Sequence, residues 1–110
     1  MSELAIIIVS YNARSYLEAC LSSLHSAQPR YSHDIVIVDN GSVDGSVEMV
    51  RSNWPSVQVI EMGANLGYSK ANNHGIRSTE SELILLLNSD TVVPPGSIDG
   101  LIRELQLHND

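Results

Sequence analysis

The sequence predicts an α/β domain: a doubly wound, mainly parallel sheet of about four strands with helices on both faces. Three observations lead there. Four runs are rich in Val, Ile and Leu, and segments of helical spacing follow each of them, so strand and helix alternate along the chain. Three of the four runs are nearly continuous in apolar residues, which suits strands covered on both sides. No linker, low-complexity tract or internal repeat interrupts the 110 residues, so residues 1–110 are expected to form one domain.

Each element can be justified in order. The first strand is "LAIIIVS", Leu4 to Ser10. In "NARSYLEACLSSLHSA", Leu17, Cys20, Leu21 and Leu24 recur on one helical face, and Asn12 is the expected N-cap. The second strand is "DIVIVDN", Asp34 to Asn40. In the helix that follows, Val47, Val50 and Trp54 share a face, Asp44 caps the start and Pro55 ends it. The third strand is "VQVIE", Val57 to Glu61. The segment "GYSKANNHGIRS" is a poorer helix, with Ala71 and Ile76 as core and with Asn72, Asn73 and Gly75 breaking the pattern. The fourth strand is "LILLLNS", Leu83 to Ser89. The last helix, "PGSIDGLIRELQL", places Ile98, Leu101, Ile102 and Leu105 on one face, with prolines at its start.

Composition narrows the function classes. Hydrophobic residues at 43% and charged residues at 17% describe a packed globular chain. A formal charge of -7 argues against a nucleic-acid partner, because phosphate contacts need a basic surface. An anionic ligand would need a metal ion or helix N-termini to offset repulsion. Cys20 is alone, which excludes an internal disulfide, and its apolar helical neighbours make it a small core residue. No apolar run reaches the roughly 18 residues of a membrane span, and Met1-Ser2-Glu3 lacks a basic signal-peptide start, so a cytoplasmic location is expected. His25, His33, His74 and His108 show no metal-ligand spacing and are expected at the surface.

Polar residues collect at the strand ends. Ser10-Tyr11-Asn12 follows the first strand and Asp39-Asn40-Gly41-Ser42 the second. Asn65 to Tyr68 lies beyond the third, and Asn88-Ser89-Asp90 closes the fourth. In open parallel sheets that rim is where ligands bind. Bland readings compete: Asn12 and Asp44 can be helix caps, Gly41 and Gly67 can permit turn dihedrals, and "NSD" alone is acceptable turn chemistry. Asp39 is harder to explain that way. It follows four apolar residues without a cationic neighbour, and a carboxylate at that depth needs donors, which a bound base or ribose can supply.

Four blocks taken in order, "IIIVSYNARSYLEACLSSL", "IVIVDNGSVDGS", "NLGYSKANNHGI" and "LILLLNSDTVVPPGSI", resemble the nucleotide-sugar-dependent glycosyltransferases of family 2. That family has the GT-A fold, whose donor-binding half is Rossmann-like, and the match covers essentially the whole chain. The resemblance implies that Ser10, Tyr11 and Asn12 line a nucleotide pocket, with Tyr11 against the base. It implies that Asp39 accepts a hydrogen bond from the base, that Ser42 to Asp44 close the pocket, and that the segment from Lys70 to Asn73 borders the diphosphate and sugar. Asn88-Ser89-Asp90 matches the family's DXD element, whose last acid holds a divalent metal, Mg²⁺ or Mn²⁺, on the donor's diphosphate.

Asn88 departs from that pattern, because an aspartate is often expected there. With one negative charge fewer, metal binding without nucleotide should be weak. "NSDT" is similar to the motif of bacterial members that transfer rhamnose and related sugars, which suggests a hexosyl or rhamnosyl type, and the donor is expected to be UDP- or dTDP-linked. In the family, the acceptor-binding half and the general base lie downstream of this motif. Asp99, Glu104 and Asp110 are unconvincing as that base, since they belong to a helical face or the tail, and no catalytic residue is identified.

The chain is therefore expected to be the N-terminal, donor-binding part of a longer, inverting, metal-dependent transferase of cell-surface polysaccharide or glycan synthesis. It is expected to be inactive alone and to form a homodimer through an exposed strand edge or apolar face. The alternative is a non-catalytic nucleotide-binding or interaction module of the same fold. A dinucleotide-binding domain is disfavoured because "SYNARS" stands where a G-x-G-x-x-G would. A phosphorelay receiver is disfavoured because its paired acids and late lysine are not found.

Overall fold

The computed structural model describes residues 2–107. Strands and helices alternate as β1 (Leu4–Ser10), α1 (Arg14–Ser26), β2 (His33–Asp39), α2 (Ser46–Asn53), β3 (Gln58–Glu61), α3 (Tyr68–Arg77), β4 (Leu83–Asn88) and α4 (Ser97–Leu107). All three strand pairs are parallel, in the order β3-β2-β1-β4. The doubly wound sheet predicted from the sequence is therefore the sheet observed. His108 and Asp110 lie outside the described residues.

The handedness of crossovers explains where the helices go. From β1 to β3 the chain steps toward one edge, and right-handed connections put α1 and α2 on one face. From β3 it jumps back past β1 to β4, so the same handedness places α3 on the opposite face. The core divides accordingly. Leu4, Ile6, Ile8 and Ile37 pack against Leu17, Cys20, Leu21 and Leu24 of α1, Met49 and Val50 of α2, and Ile98 and Ile102 of α4. On the other face Ala5, Ile7, Val36 and Val38 pack against Ala71 of α3.

Three expectations change. Gly75 breaks the apolar pattern of α3 because the helix needs it there: a Cβ would lie 2.6 Å from Ile7 Cγ2 and 3.0 Å from Val38 Cγ2. The helix backbone sits directly on the sheet, Gly75 and Ala71 are buried, and Ile76 is only half-buried. In α4, Ile98 and Ile102 reach the core, but Leu101 and Leu105 are 60% and 56% exposed. They line an outward-facing cleft with Leu83, Ile84 and Leu85 of β4. Finally, β4 is not covered on both sides. It is an edge strand, and α3 lies over β1 and β2, so Leu83, Leu85 and Leu87 pack on the core while Ile84 and Leu86 are exposed.

Candidate nucleotide-sugar site

Because every strand runs the same way, Ser10, Asp39, Glu61 and Asn88 end up at one rim. Ser10 pairs in register with Asp39 across β1 and β2, so the two side chains share a face of the sheet. Both are buried, at 1% and 3% exposure. One Asp39 oxygen accepts the backbone N–H groups of Gly41 (3.2 Å) and Ser42 (2.9 Å), the charged cap of a tight turn. The other, Oδ1, has no partner among the described residues, and neither has Ser10 Oγ. Leaving a buried polar atom unpaired costs about 1–3 kcal/mol, so two at neighbouring strand ends are an unused hydrogen-bonding capacity that the fold itself does not explain.

The loops around this pair are laced together. The expected N-cap Asn12 does not cap α1. Ala13 occupies that position, while Asn12 takes a left-handed φ of 47° and its Oδ1 accepts the Val43 N–H at 2.9 Å. Its own N–H donates to Ser42 Oγ at 2.9 Å, so Asn12 joins the rim loops after β1 and β2. Asp44 caps two helices instead of one. Its Oδ2 accepts the Arg14 N–H at the start of α1 (3.0 Å), and its Oδ1 accepts the Ser46 N–H at the start of α2 (3.1 Å) together with the Ser46 hydroxyl. Burial alone would raise the Asp44 pKa, but the hydrogen bonds from Ser46 and Arg14 outweigh it and hold the carboxyl below its usual 3.8.

A depressed folded-state pKa stabilises the fold above the unfolded-state value, and that contribution disappears as pH falls through the folded one. The melting-temperature gap between wild type and Asp44→Asn should therefore be constant from pH 7 to about pH 5 and shrink below about pH 4. A gap as wide at pH 2.5 as at pH 6 would show that the carboxylate charge is not what stabilises this junction.

Asp90 lies two residues past the end of β4 and is exposed. Cys20 of α1 is close enough to sense it: burial first, and then the Asp90 charge, push the thiol pKa up to about 11. Cys20 is fully buried in the core, as expected, and its thiol meets the Asn88 carbonyl at 4.0 Å, so the end of β4 lies against α1. Ser23 of α1 holds the chain beyond Asp90. It accepts the Val93 N–H at 2.9 Å while donating to the Cys20 carbonyl at 2.7 Å. Tyr11, Asn12, Lys70, Asn73 and Asn88 are exposed, and Ser42 and Ser89 are half-buried. Lys70 and Asn73 line a cleft with Met62 and Leu66 on the β3 side of α3, away from the Ser10–Asp39 pair. A larger cleft of about 580 Å³ opens between α1 and α2, with Arg14, Ser42 and Val43 at one end.

Two residues that the sequence places at the strand ends without a role turn out to contribute. Asn40 is buried, and its amide is satisfied at both ends, donating to the Gly67 carbonyl (3.3 Å) and accepting the Leu66 N–H (3.2 Å). Tyr68 opens α3 and its hydroxyl donates to Asn88 Oδ1 at 3.3 Å. A usable signal for Asn40 was an amide directly after a buried strand, where it must find internal partners. Nothing local announced Tyr68. Of the weighed carboxylates, Asp99 accepts the Arg30 N–H at 2.8 Å and so serves the packing of α4.

An all-parallel sheet with unpaired polar atoms at its carboxyl rim and a polar turn after its edge strand defines an α/β domain with a polar cleft at its strand ends. The sequence profile for glycosyl transferase family 2 matches residues 5–110, and the chain belongs to that family. It is 32% identical over 110 residues to an N-acetylglucosaminyl-diphospho-decaprenol L-rhamnosyltransferase of Mycobacterium tuberculosis, covering 90% of this chain and 36% of that protein. Among solved structures, S. aureus TarS 1-349 in complex with UDP-GlcNAc superposes with a TM-score of 0.83 at 24% identity, over 96% of this chain and 32% of that one. The mannosyltransferase PcManGT from Pyrobaculum calidifontis, in complex with GDP-Man and Mn²⁺, does so at 0.85 and 22%, over 94% and 32%. The chain thus spans about a third of the length of each of these three proteins.

Proposed function

We propose that the rim binds a nucleoside-diphosphate sugar, UDP- or dTDP-linked, and that this chain is the donor-binding part of an inverting glycosyltransferase acting in cell-surface polysaccharide or glycan synthesis. The observation that carries the reading is the pair of buried, unpartnered acceptors, Asp39 Oδ1 and Ser10 Oγ, on adjacent strand ends. A nucleobase offers the ring or exocyclic N–H that such a carboxylate oxygen lacks, and Tyr11, exposed one residue past Ser10, supplies an aromatic surface for stacking. Asn12, Ser42 and Asp44 hold the loops that frame this pocket. The resemblance assigns Ser89 to the nucleotide with them and Lys70 and Asn73 to the diphosphate and sugar, although the cleft that Lys70 and Asn73 line lies away from the Ser10–Asp39 pair.

The donor set suits a hard cation. Asp90 is an exposed carboxylate, and no group of three or more His, Cys, Asp or Glu stands ready to hold a metal among the described residues. Asp90 would therefore hold Mg²⁺ or Mn²⁺ together with the diphosphate oxygens of the donor, not in a protein cage. When bound, such an ion supplies charge stabilisation for the departing nucleoside diphosphate. The residues here orient the base and fix the rim. The acceptor and the base that deprotonates it are assigned to none of them, because Asp99 is engaged in packing.

Calorimetric titration tests the reading. UDP, GDP and dTDP are added in turn with and without Mn²⁺, and Mn²⁺ is added alone. At least one nucleotide should bind, more tightly with Mn²⁺, while Mn²⁺ alone binds more weakly than about 100 µM, or about 5.5 kcal/mol. Absence of binding by all three nucleotides overturns the donor-site reading. Micromolar Mn²⁺ affinity without nucleotide overturns the assignment of a single protein carboxylate.

A further inference from the structure

The end of β4 carries an amide where a second carboxylate would add to the charge of Asp90, and the structure shows what that amide is tied to. The Tyr68 hydroxyl donates to Asn88 Oδ1 at 3.3 Å. An amide has one acceptor side and one donor side. With the oxygen engaged, the two N–H groups of Asn88 are left for a ligand on the rim. In a chain of net charge -7, an N–H donor at the end of β4, two residues before Asp90, attracts diphosphate or sugar oxygens that a carboxylate would repel.

Tyr68 is itself held. It follows Gly67, whose φ of 92° lets the chain turn into α3. The Gly67 carbonyl accepts the Asn40 amide at 3.3 Å and the Ala71 N–H at 3.2 Å, and Asn40 also receives the Leu66 N–H at 3.2 Å. A buried amide at the end of β2 thereby pins the first turn of α3, and that turn carries the hydroxyl that sets Asn88.

We propose that Tyr68 is a positioning residue for Asn88, anchored through Asn40, and that it makes Asn88 a hydrogen-bond donor to the nucleotide sugar instead of a metal ligand. This rests on the donor-site reading above, and the test separates the two. Dissociation constants are measured for wild type, Tyr68→Phe, Asn88→Ala and the double variant, using the tightest of UDP, GDP and dTDP with Mg²⁺. Tyr68 is half-exposed, so removing its hydroxyl spares the fold. Tyr68→Phe should weaken binding about fivefold in the wild-type background and less than about twofold when Asn88 is already alanine. Equal losses in both backgrounds, or none in either, overturn the proposal.

A second readout is independent of any ligand. In the free protein, Tyr68→Phe must shift the side-chain amide ¹H–¹⁵N resonances of Asn88, and unmoved resonances overturn the positioning claim. If wild type binds none of the three nucleotides, the donor-site reading falls, and the resonance shift alone then decides whether Tyr68 orients Asn88.

Discussion

Asp39→Asn is expected to weaken nucleotide binding at least tenfold while leaving the protein folded. The substitution keeps the size of the side chain and one oxygen. That oxygen can still accept the Gly41 and Ser42 N–H groups that define the turn. The unpartnered Oδ1 position then becomes an NH₂ group, and an acceptor aimed at a base N–H becomes a donor facing a donor. Tenfold is about 1.4 kcal/mol, just below the roughly 1.5–3 kcal/mol of a hydrogen bond to a charged group, which leaves a little to be discounted for water left in the pocket. Asp39→Ala should do more, because it also strips the turn of its acceptor and costs stability. Calorimetry on Asp39→Asn, with a melting curve beside it, reads both effects. Unchanged affinity would sink the assignment of Asp39 to the base.

The second large effect concerns the fold. Gly75→Leu should destabilise the protein by more than about 3 kcal/mol and leave much of it unfolded or aggregated, while Gly75→Ala should cost about 1–2 kcal/mol. The alanine gains about 1 kcal/mol of helix propensity over glycine, but its methyl group meets Ile7 Cγ2 at 2.6 Å, closer than carbon atoms approach. Ile7 sits in the middle of β1 and Val38 near the end of β2, the two central strands, and both are fully buried, so relief requires moving α3 off the sheet. Leucine adds three more carbons to the same clash. Urea unfolding of the two variants gives the comparison; an alanine variant more stable than wild type would show that α3 shifts freely.

Both predictions turn on what a reader of the chain can and cannot see. Continuous apolar runs and i, i+3, i+4 spacing announce four strands and four helices, because burial on both faces of a sheet and on one stripe of a helix leaves a direct mark on residue order. Asp39 stood out for the same reason, as a carboxylate directly after such a run, and Asp90 as one just beyond the polar end of another. Less legible were positions whose role depends on a partner remote in sequence. Asn12 looked like a helix cap, yet its side chain serves Val43, 31 residues away. Gly75 looked like a defect in a helix, yet it marks where that helix touches Ile7 and Val38. Leu101 and Leu105 carried the right spacing for a core, yet they line an open cleft, because the edge strand beside them leaves nothing to cover them.

The order of residues determined the class of fold, the family, and the polar character of each strand end, since these follow from local periodicity and from short motifs read in sequence. Only the tertiary structure decided that Ser10 and Asp39 keep unpaired atoms side by side, that Asp44 caps two helices, and that Tyr68 faces Asn88. Each of those depends on the register of parallel strands and the side to which a crossover swings, and a hydrogen bond between residues 20 or 30 apart leaves no periodic trace in the chain.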